Sequence, residues 1–323
     1  MQISIIIPTY NRPDDLNKCL SSILIQTLLP GEIIIVDNSD SHEPTKLVTD
    51  LKDKFENKNI FLKYIKNEKE NSLTVAKNIG VKNSVEDIIS FLDDDIILDK
   101  EYYAEIIKVY KEYPNALGVE GLPILDSQKR KVRSFFTQVL DKLFFLGHRE
   151  KNGCRVLPSL GVTVYSGNKI INCEWLSGAS TFKRQIFDNF SYDEKLKKYS
   201  WGEDTDFSYR IFKKYPNSLF VNPAAKYVHN LSLEGRTPKK EIAYMEEIYY
   251  LYLFYKIIPQ NFKNKMIYFW GRIGRTIFKI ISWLFGRLKF IEIMYSLEAY
   301  IFCLRHLKEI KKGDLDFFNK TLE

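Results

Sequence analysis

The sequence predicts an α/β protein built on a mostly parallel sheet, and three observations carry that prediction. Short runs at 3–7, 33–36 and 88–92 are apolar at nearly every position, the signature of strands buried on both faces. Stretches of helical periodicity separate them. Each run stops at a cluster of polar residues, and the carboxyl ends of strands are where sheets of this kind bind ligands. The 323 residues allow two domains, or one with a long appendage, and 45% hydrophobic with 28% charged residues describes an ordinary globular chain.

In order, the β-branched run at 3–7 reads as a first strand that stops at Pro8, with no basic leader before it, so no secretory signal is expected. Pro13, Asp14 and Asp15 open a helix whose Leu16, Leu20, Ile23 and Leu24 share one face. Gly31 and Glu32 introduce the second strand at 33–36. A third strand is expected at 61–65, a helix at 73–83 and a fourth strand at 88–92. Beyond lies a helix at 100–113, closed by Pro114, then a strand at 118–121. The stretch 125–169 has no clear pattern. In it, basic Lys129, Arg130, Lys131 and Arg133 precede Phe135, Phe136, Phe144 and Phe145, read either as a packed surface helix or as an insertion near an acceptor.

The chemistry-bearing stretch is Asp93, Asp94 and Asp95 at the end of the fourth run. Three adjacent carboxylates repel one another unless a cation or donors compensate. Two readings stand: an acidic solvated turn, or a site where a hard divalent cation meets a diphosphate. No GxGxxG follows the first strand and no GxxxxGK[ST] occurs, which argues against dinucleotide oxidoreductases and P-loop enzymes. Cys19, Cys154, Cys173 and Cys303 lack metal-ligand spacing and point to reduced thiols and a cytoplasmic setting.

Five motifs then occur in order: Pro8, Thr9, Tyr10, Asn11 and Arg12; Asp37, Asn38 and Ser39; Asn71 and Ser72 with Ala76, Lys77 and Asn78; the Asp triplet; and Trp201, Gly202, Glu203 and Asp204. Together they resemble the family 2 glycosyltransferases, over roughly residues 3–235. The resemblance implies a GT-A fold and inverting transfer of a sugar from a nucleotide-diphosphate donor, UDP- or dTDP-linked. It implies that Asp37 accepts a hydrogen bond from the base, that Pro8, Thr9, Tyr10 and Arg12 wall base and ribose, and that Asn71 and Lys77 lie by the nucleotide. Lys77 stands where the family often has arginine, so it loses the bidentate fork, and a solvated helix lysine is the other reading. Asp93 or Asp94 would address the ribose, while Asp95, with His229, would hold Mn²⁺ or Mg²⁺. Trp175, Gly178 and Trp201 would face the acceptor.

In this resemblance Asp204 is the candidate base, just before a helix expected at 205–213, where a helix N-cap is the alternative role. Glu203 would orient base or acceptor, and Arg210 would pair with a carboxylate. The acceptor expected is a hydroxyl of a glycan or lipid-linked glycan in cell-surface polysaccharide synthesis. A polyprenyl-phosphate acceptor and a non-catalytic binding subunit are the rivals.

The charge of +7 is concentrated in the tail: from Lys239 on there are 15 Lys and Arg against 9 Asp and Glu, and 33 against 32 before it. We therefore expect a catalytic domain at 1–238 and a helical tail at 239–323. Arg272, Arg275, Lys279, Ser282, Gly286 and Lys289 draw one polar stripe along an apolar helix rich in Phe and Trp, the pattern of an in-plane helix with cations towards anionic headgroups. Packing on the catalytic domain or in a homodimer is the alternative. The tail has no nucleic-acid motif, so a nucleic-acid partner is not expected, and the location expected is peripheral, on the cytoplasmic face of a membrane.

Overall fold

The computed structural model describes residues 1–124, 135–230 and 237–322. The main sheet holds β1 (Ile3–Thr9), β2 (Glu32–Asp37), β3 (Phe61–Lys66), β4 (Ile88–Phe91), β5 (Ile96–Leu98) and β6 (Gly118–Pro123). Arg149–Glu150 (β7) and Val164–Tyr165 (β8) form a separate parallel pair, and Ile171–Asn172 (β9), Ser180–Lys183 (β10) and Leu219–His229 (β11) return to the main sheet. The helices are α1 (Pro13–Leu24), α2 (Glu43–Glu56), α3 (Leu73–Asn83), α4 (Tyr102–Glu112), α5 (Phe135–Leu143), α6 (Glu203–Lys214), α7 (Lys239–Ile257), α8 (Phe262–Leu284), α9 (Phe290–Arg305), α10 (Leu307–Lys312) and α11 (Asp316–Asn319).

Strand order is β3-β2-β1-β4-β10-β6-β11-β5, with β9 on β11. The first four are mutually parallel, β6 and β11 are parallel, and β10 runs against both β4 and β6. The sheet is thus mixed but mostly parallel, as the apolar runs predict. β1, β2 and β4 are buried at every position, because helices cover both faces.

Three local expectations change. β1 does not stop at Pro8 but continues to Thr9, in register with Val36 and Asp37, since parallel pairing is completed by neighbouring residues. α2 was not anticipated, although Val48, Leu51 and Phe55 recur at helical spacing and are buried. α6 begins at Glu203 rather than Thr205, so Asp204 lies inside the first turn and Gly202 is the N-cap. The basic cluster Lys129, Arg130, Lys131 and Arg133 lies outside the described residues. Phe144, beyond α5, is buried against Trp270, its ring centroid 5.1 Å away, which supports the packed reading of that segment.

The tail packs on the sheet's own loops. α7 is buried along most of its length and forms a second core with Leu196, Tyr268, Cys303, Ile310 and Phe318. Lys256 Nζ reaches Asp193 Oδ2 at 2.6 Å and Asp206 Oδ2 at 2.9 Å, tying α7 to α6 and the segment before it. The three cations of the stripe that lie on α8 face this core, not the exterior, whereas Gly286 and Lys289 fall beyond α8 and are exposed. Arg272 Nη1 lies 3.2 Å from Glu247 Oε2 and Lys279 Nζ 3.2 Å from Glu246 Oε2, while Arg275 also pairs with Glu246. The expected outward direction of these cations is overturned, because the two glutamates of α7 offer partners that solvent-facing positions lack.

Candidate active site

The parallel register brings the ends of β1, β2 and β3 level, at Thr9, Asp37 and Lys66. Past β4 the chain turns sharply, with Ile96 N donating to Asp93 O, and the three aspartates occupy that turn. β11 pairs antiparallel with β5 so that His229 is level with Ile96, and Asn230 N donates to Asp95 O at 2.8 Å. This pairing, between residues far apart in sequence, delivers His229 to the triplet. Its Nε2 stands 3.0 Å from Asp95 Oδ1.

The turn is not solvated: Asp94 is 4% and Asp95 7% exposed. Burial raises the Asp93 carboxyl to about 6, with Lys77 lowering it and Asp204 and Asp95 raising it further. Burial likewise raises Asp94 to about 7, against the opposing pull of Arg12 and Thr9. The hydrogen bond to Asp95 raises His229, more than burial lowers it. Ligand atoms of Asp93, Asp95 and His229 all lie within 4.8 Å of one another. Two carboxylate oxygens and an imidazole nitrogen, with the acids costly to ionise unaided, fit a divalent first-row cation.

The two doubtful members of the triplet therefore separate. Asp93 joins Asp95 and His229, whereas Asp94 turns towards the start of α1, accepting from Thr9 Oγ1 at 2.8 Å and Arg12 Nη1 at 3.2 Å. The place of Asp93 in the cation group was not foreseen, since adjacent identical residues carry no signal of which way each points. Asp37 is fully buried, with Ser39 N donating to Oδ1 at 2.7 Å and Tyr64 hydroxyl donating to Oδ2 at 2.6 Å. Burial and that bond push the Tyr64 phenol up to about 12. A carboxylate has about four acceptor sites, so these partners fix the orientation of Asp37 without exhausting it. Pro8 is buried within β1, and Tyr10 hydroxyl donates to Asp40 Oδ2 at 3.1 Å with Asn71 beside it at the outer rim.

A second centre forms where α3 meets α6. Thr74 Oγ1 donates to Leu196 O at 2.8 Å and Asn78 Nδ2 to Tyr192 O at 3.0 Å, so the segment before α6 is clamped to α3. Gly202 takes φ +88°, a left-handed conformation suited to glycine, and starts α6 with Glu203 and Asp204 in its first turn. Lys77 is wholly buried, which rules out the solvated helix lysine. Its Nζ lies 2.7 Å from Asp204 Oδ1 and 3.3 Å from Glu203 Oε1, and 4.7 Å over the Tyr192 ring. Burial opposes the charge on Lys77, but Asp204 foremost, with Tyr192, Glu203 and Asp93, outweighs it and raises the ammonium well above its usual range. Burial also raises Glu203, as does the charge on Asp204. Arg210 pairs with Asp206 at 2.9 Å, as anticipated from its type and position.

On the opposite wall, Gly178 is required by close approach: a Cβ there would stand 2.5 Å from Asp93 Oδ2. Ser177 N donates to Glu120, a buried acid that burial raises to about 8. Glu120 was not singled out in the sequence because nothing marks a lone glutamate in a strand as facing inward. Trp175 is half-buried with its indole N–H on Thr163 O at 3.0 Å, and Trp201 is half-buried against Tyr199 and Tyr250.

The model of glycosyl transferase family 2 matches residues 4–176. The uncharacterized glycosyltransferase YwdF of Bacillus subtilis (strain 168) is 30% identical over 220 residues, 67% of this chain and 69% of that protein. The poly(ribitol-phosphate) β-N-acetylglucosaminyltransferase TarP of Staphylococcus aureus (strain N315) is 27% identical over 266 residues, 77% of this chain and 71% of that one. Other relatives are much longer: the chain spans 17% of a Rickettsia conorii (strain ATCC VR-613 / Malish 7) glycosyltransferase, to which it is 32% identical over 111 residues, 34% of this chain. The crystal structure of GalNAc-T7 with UDP, GalNAc and Mn²⁺ superposes with a TM-score of 0.57 at 18% identity, covering 85% of this chain and 54% of that one. Its fold is GT-A, and the mixed, mostly parallel sheet flanked by helices is the same architecture. With the sheet order, the acidic turn and the match over more than half its length, the chain belongs to glycosyl transferase family 2.

Proposed function

We propose that this glycosyltransferase moves a sugar from a nucleotide-diphosphate donor, UDP- or dTDP-linked, to a hydroxyl of a glycan or lipid-linked glycan, with inversion. The observation that carries the reading is the meeting of Asp93, Asp95 and His229 at the strand ends, on the same side as the Lys77–Asp204 pair whose charges act on Asp93. The UDP, GalNAc and Mn²⁺ bound by GalNAc-T7, on the same fold, support it. Asp93, Asp95 and His229 would hold a divalent cation, which when bound would supply positive charge against the departing diphosphate.

The chain's own residues do the rest. Asp37, fixed by Ser39 and Tyr64, accepts the imide hydrogen of the base, and Thr9, Tyr10 and Arg12 border the nucleoside. The acceptor hydroxyl approaches past Gly178, Trp175 and Trp201. Its oxygen forms the bond to the anomeric carbon from the face opposite the diphosphate, and its proton passes to the Asp204 carboxylate. Lys77 positions that carboxylate and keeps it from repelling Glu203 and Asp93. Residues 1–238 form the catalytic unit in this reading, with 239–323 as a helical appendage at the cytoplasmic face of a membrane, and the four buried free thiols support a reducing compartment.

Thermal unfolding with a panel of nucleotide sugars, with and without Mn²⁺, tests the donor. One UDP- or dTDP-sugar raises the unfolding temperature in the presence of Mn²⁺ and is consumed with release of the nucleoside diphosphate. No stabilisation by any of them contradicts the reading. One observation favours a second acceptor class: Asp204 is already engaged by Lys77 at 2.7 Å, and a polyprenyl-phosphate acceptor, being ionised, needs no base. Full transfer by Asp204→Asn selects that reading.

A further inference from the structure

The transfer chemistry leaves one large surface unused. α8 turns Arg272, Arg275 and Lys279 inward onto Glu246, Glu247 and Ser296, the last accepting from Lys279 Nζ at 2.7 Å. Its other face therefore points outward carrying apolar and aromatic side chains, and α9 extends it. Of the 26 large hydrophobic side chains exposed among the described residues, 15 lie between Phe262 and Leu304, so they form a patch and not a scatter. Phe262 is 79%, Phe285 74% and Leu304 69% exposed. Burying such a face against something is the ordinary outcome of the hydrophobic effect.

The border of the patch identifies what covers it. Lys263 and Lys265 are exposed at the start of α8, and Arg287 and Lys289 in the turn to α9. The sequence holds no acidic residue between Ile257 and Ile291. A two-fold dimer through this face would bring the same basic border to the interface from both sides, because a symmetric interface presents the same patch twice. An anionic lipid surface is complementary in both respects: apolar side chains enter the acyl boundary and the cations meet phosphates. Tryptophan suits that boundary, and Trp270 and Trp283 are both exposed on α8. No helix among the described residues is long and apolar enough to cross a membrane, so the geometry is that of a helix pair lying in the surface.

We propose that the outward face of α8 and α9 seats the protein on an anionic bilayer, with Phe269, Ile273, Ile280 and Trp283 inserted and Lys263, Lys265, Arg287 and Lys289 on the headgroups. This does not rest on the identity of donor or acceptor. The full chain is sedimented with vesicles of phosphatidylcholine, with and without phosphatidylglycerol, while tryptophan emission is followed. Binding is expected to the anionic vesicles, with a shift of emission to shorter wavelength and weakening in salt. Phe269→Glu with Ile280→Glu abolishes it, and Arg287→Glu with Lys289→Glu weakens it about tenfold or more. The charge-reversal pair alters only exposed side chains, so it decides the matter if the apolar pair fails to fold. Absence of binding, or binding unchanged in the charge-reversal pair, overturns the proposal. So does a dimer in vesicle-free solution that Phe269→Glu with Ile280→Glu dissociates, which would give the face to a second copy.

Discussion

The strand ends and the helical tail both bury charge, and they do so with opposite accounts. Among the described residues, the site gathers the carboxylates of Asp93, Asp94, Asp95, Glu203 and Asp204 around Arg12, Lys77 and His229. In the tail Arg272, Arg275 and Lys279 meet Glu246 and Glu247, and the charge is close to matched. The surplus left at the site is negative charge, and the surplus left on the tail is apolar surface. Buried charge that already has its counter-charge reads as architecture, while buried charge in excess reads as a place for a ligand, which we propose to be a cation with a diphosphate.

The largest effect is expected at Asp204. Asp204→Asn keeps the size of the side chain and removes the proton acceptor, and turnover with a hydroxyl acceptor is expected to fall about 10²–10⁴-fold while donor affinity, measured by calorimetry, is unchanged. Next come the two buried cations. Lys77→Met and Arg272→Met each strand carboxylates without their partner and are each expected to cost about 3–5 kcal/mol in denaturant unfolding. Activity separates them: the Lys77 variant loses turnover per folded molecule, Lys77→Arg recovers part of it, and the Arg272 variant does not lose it. Equal catalytic losses in both would erase the distinction drawn between the regions.

A smaller effect concerns pH. Asp93 and Asp94 are raised by burial, to about 6 and about 7, so the folded protein holds their protons more tightly than the unfolded chain does. Sparing them that ionisation favours the fold at low pH, and the advantage is lost as pH rises through those values. A divalent cation binds the ionised Asp93 and the unprotonated His229, itself raised by Asp95, so both titrations act in one direction. The rise in unfolding temperature produced by Mn²⁺ is therefore expected to be full near pH 8 and largely lost at pH 6. The smallest effect belongs to the tail's outer face, where Phe269→Glu should alter stability by no more than about 0.5 kcal/mol, as measured by denaturant unfolding, because the side chain is half-exposed.

Much of the site could be read from the chain alone, since Asp37, the Asp triplet and Asp204 follow strand ends or open a helix, and those positions have fixed meanings in a parallel sheet. Periodicity was less informative about direction. It identified Arg272, Arg275 and Lys279 as sharing a face of α8, but a face has no sign until its neighbours are known, and Glu246 with Glu247 turned it inward. The same holds for Lys77, a lysine amid a helix of low amphipathic contrast, whose burial depends on α6 arriving from over a hundred residues away. Glu120 and the turn of Asp94 towards the start of α1 depend on backbone geometry that no spacing encodes. The segment 125–169 resisted reading because its described part, 135–169, forms short pieces of strand and one short helix with little repeated pattern.

Titration calorimetry of Mn²⁺ near pH 8 tests whether the acidic turn binds a cation with divided roles for its three aspartates. Asp93→Asn is expected to abolish measurable binding, as is Asp95→Asn. Asp94→Asn, whose side chain serves Thr9 and Arg12, is expected to bind within a few-fold of the unaltered protein. Binding retained by Asp93→Asn and lost by Asp94→Asn would contradict the account.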